Sequence, residues 1–437
     1  MSDAKTLESM SPQLQKVAAR AQGHPGERIL SLAHRIDVPA LELAFHRLRN
    51  DAAVGVDGVT KEEYGQDLER NLQRLHVRLK AGQWRHQPIR RVHIPKDKGK
   101  TRPIGISCME DKIVQDSVRG LLEAIYEQDF LDCSCGFRPG RSAHDALRAL
   151  GRAVHRGGAR WIIEADIVSF FDSLDRTKLR EMLRTRVADE SLLRLVGKCL
   201  HVGVLDGEEY TEPEVGTAQG SVLSPLLGNV YLHYVLDLWF EREIKRRLRG
   251  RAFLVRYADD FVIALEYQED AERVMAVLPK RMGRYGLALH PVKTRLLSFG
   301  PPESGRGKGS ATFDFLGFTH YWRRTRGGWW TMWCKTARAR QYRALRSITE
   351  YCRRHRCDPV KTQHAALVRR IRGHIDYFGV NGNLRSLQRL VWAIRRIWRK
   401  WLRRRSQRTH LTWERFLALL QRFPLPVPRV MVQIWGI

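Results

Sequence analysis

The chain has 437 residues, 43% of them hydrophobic, which excludes an intrinsically disordered protein and allows about two to three domains. It carries 77 Lys+Arg against 47 Asp+Glu, a formal charge of +30, and that excess points to a polyanionic partner, nucleic acid first. No apolar run approaches the roughly 18 residues of a transmembrane helix. The N-terminus MSDAKTLESMSPQLQK lacks a basic-then-apolar signal, so a cytoplasmic chain without a membrane partner is expected.

Residues 1–50 read as helical, with Leu30, Leu32, Ala33 and Ile36, then Leu41, Ala44, Phe45 and Leu48, near helical spacing. GVDGVT (55–60) is a turn opening a second helix, and Thr60 with Glu63 fits a capping box. RRVHIPKDKGKTRPIGI (90–106) reads as two short strands joined by a basic turn, followed by a helix over 109–128. RWIIEADIVSFFDSLD (160–175) begins as an apolar strand and runs into a helix start. FLVRYADDFVIAL (253–265) reads as a strand hairpin with its turn at Ala258–Asp259–Asp260. Residues 270–285 look helical, LALHPVKTRLLSF (287–299) strand-like, GPPESGRGKGS (300–310) a loop and FDFLGF (313–318) another short strand.

After about 335 the pattern is long, basic and helical, which puts a domain boundary near 320–335. Residues 321–410 hold 25 Lys/Arg and 3 acidic residues, interspersed with Trp322, Trp329, Trp330, Trp333, Trp392, Trp398 and Trp401. LQRLVWAIRRIWRKWLRRR (387–405) predicts a helix with one apolar and one basic side, the latter suited to a phosphate backbone. A helix lying on a membrane would fit that stretch too. The seven cysteines include Cys133-x-Cys135 but no paired C-x-x-C set, so buried, reduced thiols are expected rather than a zinc site.

Mixed strands and helices around a central apolar sheet give an α+β fold class. Two of its strands carry acids, Asp166 and the pair Asp259/Asp260. A solvated turn is the ordinary reading of Asp-Asp. Here the turn has neither Gly nor Asn, apolar strands flank it, and a third acid ends another apolar strand. Clustered carboxylates need a counter-charge, either Lys/Arg or a divalent ion. Mg²⁺ takes a few carboxylates and leaves positions for water and phosphate oxygens, and a two-ion site of this kind does polymerase chemistry.

YADD with the upstream EADIVSFFD resembles reverse transcriptases, and more finely the group II intron-encoded reverse transcriptase/maturase family. IPKDKGKTRPIGI (94–106), CSCGFRPGRSAHDAL (133–147), GTAQGSVLSPLLGNVYLHYVLD (216–237), HPVKT (290–294), FDFLGF and RGHIDYFGV (372–380) follow that family's blocks in order, over roughly residues 30–425. The resemblance implies a right-hand polymerase fold, with fingers and palm built on antiparallel sheet, then an all-α basic thumb, or maturase domain X. The implied parts are an N-terminal extension (1–50), fingers (51–155), palm (156–320, with fingers interleaved near 175–215), thumb (321–420) and C-terminal tail (421–437).

Residue by residue, the resemblance implies that Asp166 and Asp259 ligate two Mg²⁺ ions (or Mn²⁺), helped by the Ile167 carbonyl, and that Asp260 completes the cluster. Lys293 matches the lysine proposed to protonate leaving pyrophosphate. Phe171 matches the steric gate against a 2′-hydroxyl. Lys96, Arg102, Gln219 and Gly220 match the dNTP-binding positions. Arg138, Arg141, Arg372, Arg395, Arg396, Arg399, Lys400 and Arg403 would contact nucleic acid. Ala218, Cys135 and Gly228 depart from the family's usual Pro, aromatic and Ala, which puts template handling and fidelity in question. The family's Cys-rich endonuclease module is not expected.

The implied function is an RNA-directed DNA polymerase that binds group II intron RNA as a ribonucleoprotein, assists its splicing and supports retrohoming by target-primed cDNA synthesis. Its partners would be intron RNA, RNA template with DNA primer, target DNA and dNTPs, in a prokaryotic cytoplasm near the nucleoid. One alternative is the same polymerase domesticated for DNA repair or phage defence. Another is an RNA-binding splicing factor with a vestigial polymerase, against which the intact aspartates argue.

Overall fold

A computed structural model describes residues 11–95, 101–207, 209–212, 215–217, 220–302, 311–405 and 411–435. Two helices open it, α1 (Pro12–Gly23) and α2 (Val38–Arg47). The helical expectation fails between them: Leu30 is 72% exposed and Leu32 is buried from non-helical backbone. Gly23, Pro25 and Gly26, the last at φ +82°, end the first helix there. The capping box at Thr60 and Glu63 starts α3 (Lys61–Gly65) as expected, and α4 (Leu68–Lys80) follows.

A first sheet has the order β2-β1-β4-β5, from β1 (Ile89–Pro95), β2 (Thr101–Ile106), β4 (Val204–Asp206) and β5 (Glu209–Thr211). Helix α5 (Met109–Tyr126) is buried along most of its length in the main core, and α6 (Ala143–His155) packs in a second cluster. Between them lies the sheet β6-β7-β3-β8, every neighbour antiparallel: β3 (Trp161–Asp166), β6 (Ala252–Tyr257), β7 (Asp260–Leu265) and β8 (Arg295–Ser298). Along β7, Phe261, Ile263 and Leu265 enter the main core, while Val262 and Ala264 enter the second cluster. Burial on both faces is why this strand reads as an unbroken apolar run. Only 295–298 of the strand-like stretch 287–299 joins the sheet as a strand, beside a single bridge from Leu289 to Ile167.

Helices α7 (Arg176–Arg184), α8 (Glu190–Leu200) and α9 (Ser224–Leu232) join the main core, and α10 (Gln268–Arg284) packs on this sheet; α9 runs on through π-helical turns at His233–Asp237 and Phe240–Ile244. FDFLGF is not one strand. It holds β9 (Phe313–Phe315), a turn at Leu316 (φ +51°) and Gly317 (φ +80°), and the start of β10 (Phe318–Arg324). With β11 (Trp330–Thr336) these form a third sheet, so residues 321–336, which the resemblance put in the all-α thumb, are a hairpin instead. Its aromatic and β-branched residues and Gly-Gly turn carry the strand signal that the arginines masked. Helices begin at Arg338: α11 (Arg338–Arg354), α12 (Val360–Phe378), α13 (Leu384–Leu402) and α14 (Trp413–Arg422). Their interior joins Ile348, Leu367, Ile371, Ile394, Trp398 and Phe416. The chain then returns as an extended tail. Val432 bridges Val380, and Trp435 lies against α6 at Gly151. Thus an α+β architecture with a helical C-terminal region holds; two of the sheets are antiparallel throughout, while the first is mixed, because β1 pairs β4 in parallel. No helix among the described residues is long and apolar enough to cross a membrane.

Candidate active site

Strand register brings the acids together. Asp260 is the first residue of β7 and stands opposite both Asp166 on β3 and Tyr257 on β6. The turn is therefore Ala258–Asp259 alone, one residue shorter than expected, with Ala258 at φ +58°. Directly opposite residues share a face with Cβ atoms about 5 Å apart, so Asp166 and Asp260 are close neighbours. Burial raises the Asp260 pKa to about 7, and the charges of Asp259, Asp166 and Glu164 push the same way. Burial also raises Asp259, with Asp166 adding to it and Arg102 and Arg256 opposing. The Lys293 ammonium donates to Asp166 Oδ2 at 2.6 Å, and the Asp166 carbonyl accepts from the His290 amide at 2.8 Å. Ile167, which follows, is buried at the end of β3.

The donor set consists of hard carboxylate oxygens, which suits Mg²⁺ or Mn²⁺. Among the described residues no three His, Cys, Asp or Glu side chains form a ready-made metal cage. The acids fit a looser site, with one or two carboxylates per ion and the rest left to water and phosphate. Burial first, and mutual repulsion after it, raise these pKa values, and a cation would offset both.

Around the acids, Phe171 lies half-buried in a 3₁₀ turn, its ring 5.1 Å from the buried Phe170. Gly228 explains itself here: a Cβ would stand 2.9 Å from the Phe170 ring and 3.2 Å from Phe171. Gly220, at φ +107°, presses on the first sheet, where a Cβ would meet the Gly105 carbonyl at 2.6 Å. Its neighbours are tied down by Gln115, whose Oε1 accepts from the Ser221 hydroxyl and the Val222 amide, each at 3.0 Å. Arg102 lies on β2, and its charge is felt at Asp259. Lys96, Ala218 and Gln219 lie outside the described residues.

The basic residues divide. Arg138 was expected on nucleic acid, but it is 9% exposed and fully engaged with Glu127 and the carbonyls of Leu131 and Ser134. It is an internal strut. Arg141 is bonded to Asp132. Arg396 and Lys400 are exposed on α13 and Arg403 at its C-cap, and Arg396 stacks on the exposed Trp392. Arg399 instead turns to Trp413 and the Leu411 carbonyl, and Arg395 is half-buried. Arg372 is exposed on α12.

The residues that sequence reasoning missed are Arg256, Asp237, Asn229 and Gln115, all buried beside the site. An arginine inside the apolar strand FLVRYA was the available signal, since a buried charge demands a partner.

Residues 94–320, just over half the chain, match the family described as reverse transcriptase (RNA-dependent DNA polymerase). The chain is 38% identical over 253 residues to the group II intron-encoded protein LtrA of Lactococcus lactis subsp. cremoris, a stretch covering 53% of this chain and 42% of that protein. It is 34% identical over 289 residues to protein YkfC of Escherichia coli strain K12, covering 59% of this chain and 76% of that one. It is 28% identical over 176 residues to nuclear intron maturase 2, mitochondrial, of Arabidopsis thaliana, covering 31% and 24%. The chain thus spans about two fifths of the length of the Lactococcus relative.

Proposed function

The chain belongs to the reverse transcriptase (RNA-dependent DNA polymerase) family, and from that premise we propose that it copies RNA into DNA and acts as maturase for a group II intron RNA. The observation that carries the reading is the meeting of Asp166, Asp259 and Asp260 at one end of the sheet's two central strands, with Lys293 on Asp166. Members of this family generally use divalent metal ions. Asp166, Asp259 and the Ile167 carbonyl would hold two of them, Mg²⁺ or Mn²⁺, with Asp260 completing the charge. Bound there, such ions supply positive charge at an attacking 3′-hydroxyl and a leaving pyrophosphate.

The chain's own residues do the rest. Lys293, already beside Asp166, is placed to give a proton or a charge contact to the leaving phosphate. Phe171 puts a ring under the sugar and so favours dNTPs. Arg102 and Lys96 of the first hairpin take the triphosphate, Arg with a bidentate fork and Lys as a mobile charge. Gln219 and Gly220 pack on the incoming nucleotide.

The parts before α11 serve as N-terminal extension, fingers and palm, and the basic helices after Arg338 as thumb. Arg396, Lys400 and Arg403, with the exposed Trp392, form the face for RNA template, DNA primer and intron RNA. Splicing assistance, target DNA and retrohoming follow from the likeness to the intron-encoded relative. Primer extension on an RNA template with Mg²⁺ tests the enzyme. A wild-type chain that extends no better than Asp259→Ala would sink it. A splicing assay in which wild type and Asp259→Ala accelerate the cognate intron equally supports a maturase role separable from polymerisation.

A further inference from the structure

Asp259 sits in a two-residue turn whose other member, Ala258, is held at φ +58°. An L-residue in that region costs about 1–2 kcal/mol, so neighbouring groups must hold the turn. The strongest hold is Arg256, 0% exposed on β6. Its Nε and Nη2 donate to the two carboxylate oxygens of Asp237 at 2.8 and 2.6 Å. Its Nη1 donates to Asn229 Oδ1 at 2.9 Å and to the Ala258 carbonyl at 3.0 Å. Asp237 is itself 0% exposed and ends a π-helical turn, a rare geometry that recurs at functional sites.

A second support meets the same turn. The Arg256 amide donates to the Cys133 carbonyl, and the Cys135 amide donates to the Arg256 carbonyl. That lays Gly136 against the turn so closely that a Cβ would stand 2.4 Å from the Ala258 nitrogen. Asn229 closes the loop by donating to the Gly136 carbonyl at 2.7 Å.

A buried ion pair is weak evidence for stability, because apolar residues of like volume often do as well. What apolar residues cannot supply is a donor to the Ala258 carbonyl. That carbonyl shares a peptide plane with the Asp259 amide, so fixing one fixes the origin of the other's side chain. We propose that Arg256, oriented by Asp237 and Asn229, is a positioning residue that sets the Asp259 carboxylate for divalent-ion ligation. The proposal rests on reading Asp259 as a metal ligand of the polymerase.

Lysine is the first probe. Its single ammonium cannot reproduce a planar fork that serves Asp237 from one edge and Ala258 and Asn229 from another. The full-length chain is assayed by primer extension across a Mg²⁺ titration, with thermal melts alongside. Wild type is expected to extend and Asp259→Ala to fail. Arg256→Lys is expected to fold, to lose roughly ten- to a hundredfold in kcat and to need several-fold more Mg²⁺ for half-maximal rate, with the dNTP KM moving less than about twofold.

Should Arg256→Lys not fold, the pair Arg256→Met with Asp237→Leu removes both charges, keeps the volume and is expected to show the same two losses. A folded variant of either kind with wild-type kcat and wild-type Mg²⁺ dependence overturns the proposal. So does a fall in kcat at unshifted Mg²⁺ half-saturation, which assigns Arg256 to core packing alone. A wild-type chain as inactive as Asp259→Ala overturns the polymerase reading, and this proposal with it.

Discussion

Between Met109 and Leu278 the protein buries Asp111, Asp116, Arg138, Arg186, Asp237, Arg256 and Asp270. Between Arg338 and Arg422 the buried polar side chains among the described residues are Gln363 and Asn383, both uncharged. Yet the second region is by far the more basic. The first region, the body of the molecule, keeps charges inside, most of them paired: Asp116 with Arg47 and Arg119, Arg138 with Glu127, Arg186 with Asp129, Arg256 with Asp237. The helical segment keeps an apolar interior and carries its charges on the outside. Buried pairs fix single atoms, because breaking one leaves an uncompensated charge. Surface charges act collectively, because each is solvated and replaceable. Function should therefore be brittle in the first region and graded in the second.

Asp259→Ala is the largest break. Losing one ligand of the cation site should lower primer extension roughly a thousandfold or more, since each 1.4 kcal/mol is tenfold and metal charge contributes several. RNA binding, measured by filter retention, should stay near wild type. A parallel loss of binding would mean that the two regions are not separable. Within the helical segment the equally brittle feature is apolar. Trp398 is 0% exposed, donates to Gln363 Oε1 at 3.0 Å and packs edge-on against Phe416. Trp398→Ala should cost about 3–5 kcal/mol in a denaturant melt. A cost under about 1 kcal/mol would show that α13 is not keyed by its interior.

The same contrast decides what could be read in advance. The central strands β3 and β7 were legible because burial on both faces leaves an apolar run, and the capping box at Thr60 because it is local. The stripe of α13 was legible because Leu387, Leu390, Val391, Ile394 and Trp398 recur at helical spacing. Arg138 was misread because its partners, Glu127, Leu131 and Ser134, meet it only after the chain turns. Arg256 was missed because Asp237 and Gly136 reach it from separate segments. Trp330 and Trp333 were grouped with the all-α thumb because arginines alternating with aromatics satisfy either period over a short run. Local and periodic signals survive in sequence; the partner of a buried charge does not.

The graded side of the contrast is tested by charge removal. Arg396→Ala, Lys400→Ala and Arg403→Ala together should weaken RNA binding by about tenfold or more at moderate salt. They should flatten the log–log salt slope by up to about 0.7–0.9 per lost phosphate contact. Each single change should cost less than about threefold. A single change matching the triple would turn this face into a discrete site and remove the contrast. An unchanged slope would mean that α13 does not touch phosphate.

The smallest expected effect is on stability against pH, and it isolates a buried acid in the body whose basic neighbour, His86 with Nδ1 3.5 Å from Asp111 Oδ2, is itself held uncharged near neutral pH. Asp111 is 1% exposed, and burial raises its pKa to about 8, while burial lowers the neighbouring His86 to about 4. Near neutral pH both are uncharged, and His86 in turn meets Gln115, which holds Ser221 and Val222 beside Gly220. An unfolded aspartate titrates near 3.9. From there up to about 8 the folded state holds a proton that the unfolded state has lost. The Asp111 contribution to stability therefore falls as pH rises across that window, by about 1.4 kcal/mol per unit, and levels off above it. His86, lowered to about 4, has the opposite sign, but only below its unfolded value of about 6.5. Asp260 contributes the same sign only up to about 7, so the interval from about 7 to 8 belongs chiefly to Asp111. Asp111→Asn has no proton to lose, and its denaturant-derived stability should decline less steeply than wild type over that interval. Parallel slopes would place the pH sensitivity elsewhere and leave the body's buried charges fully compensated, as the helical segment's neutral interior already is.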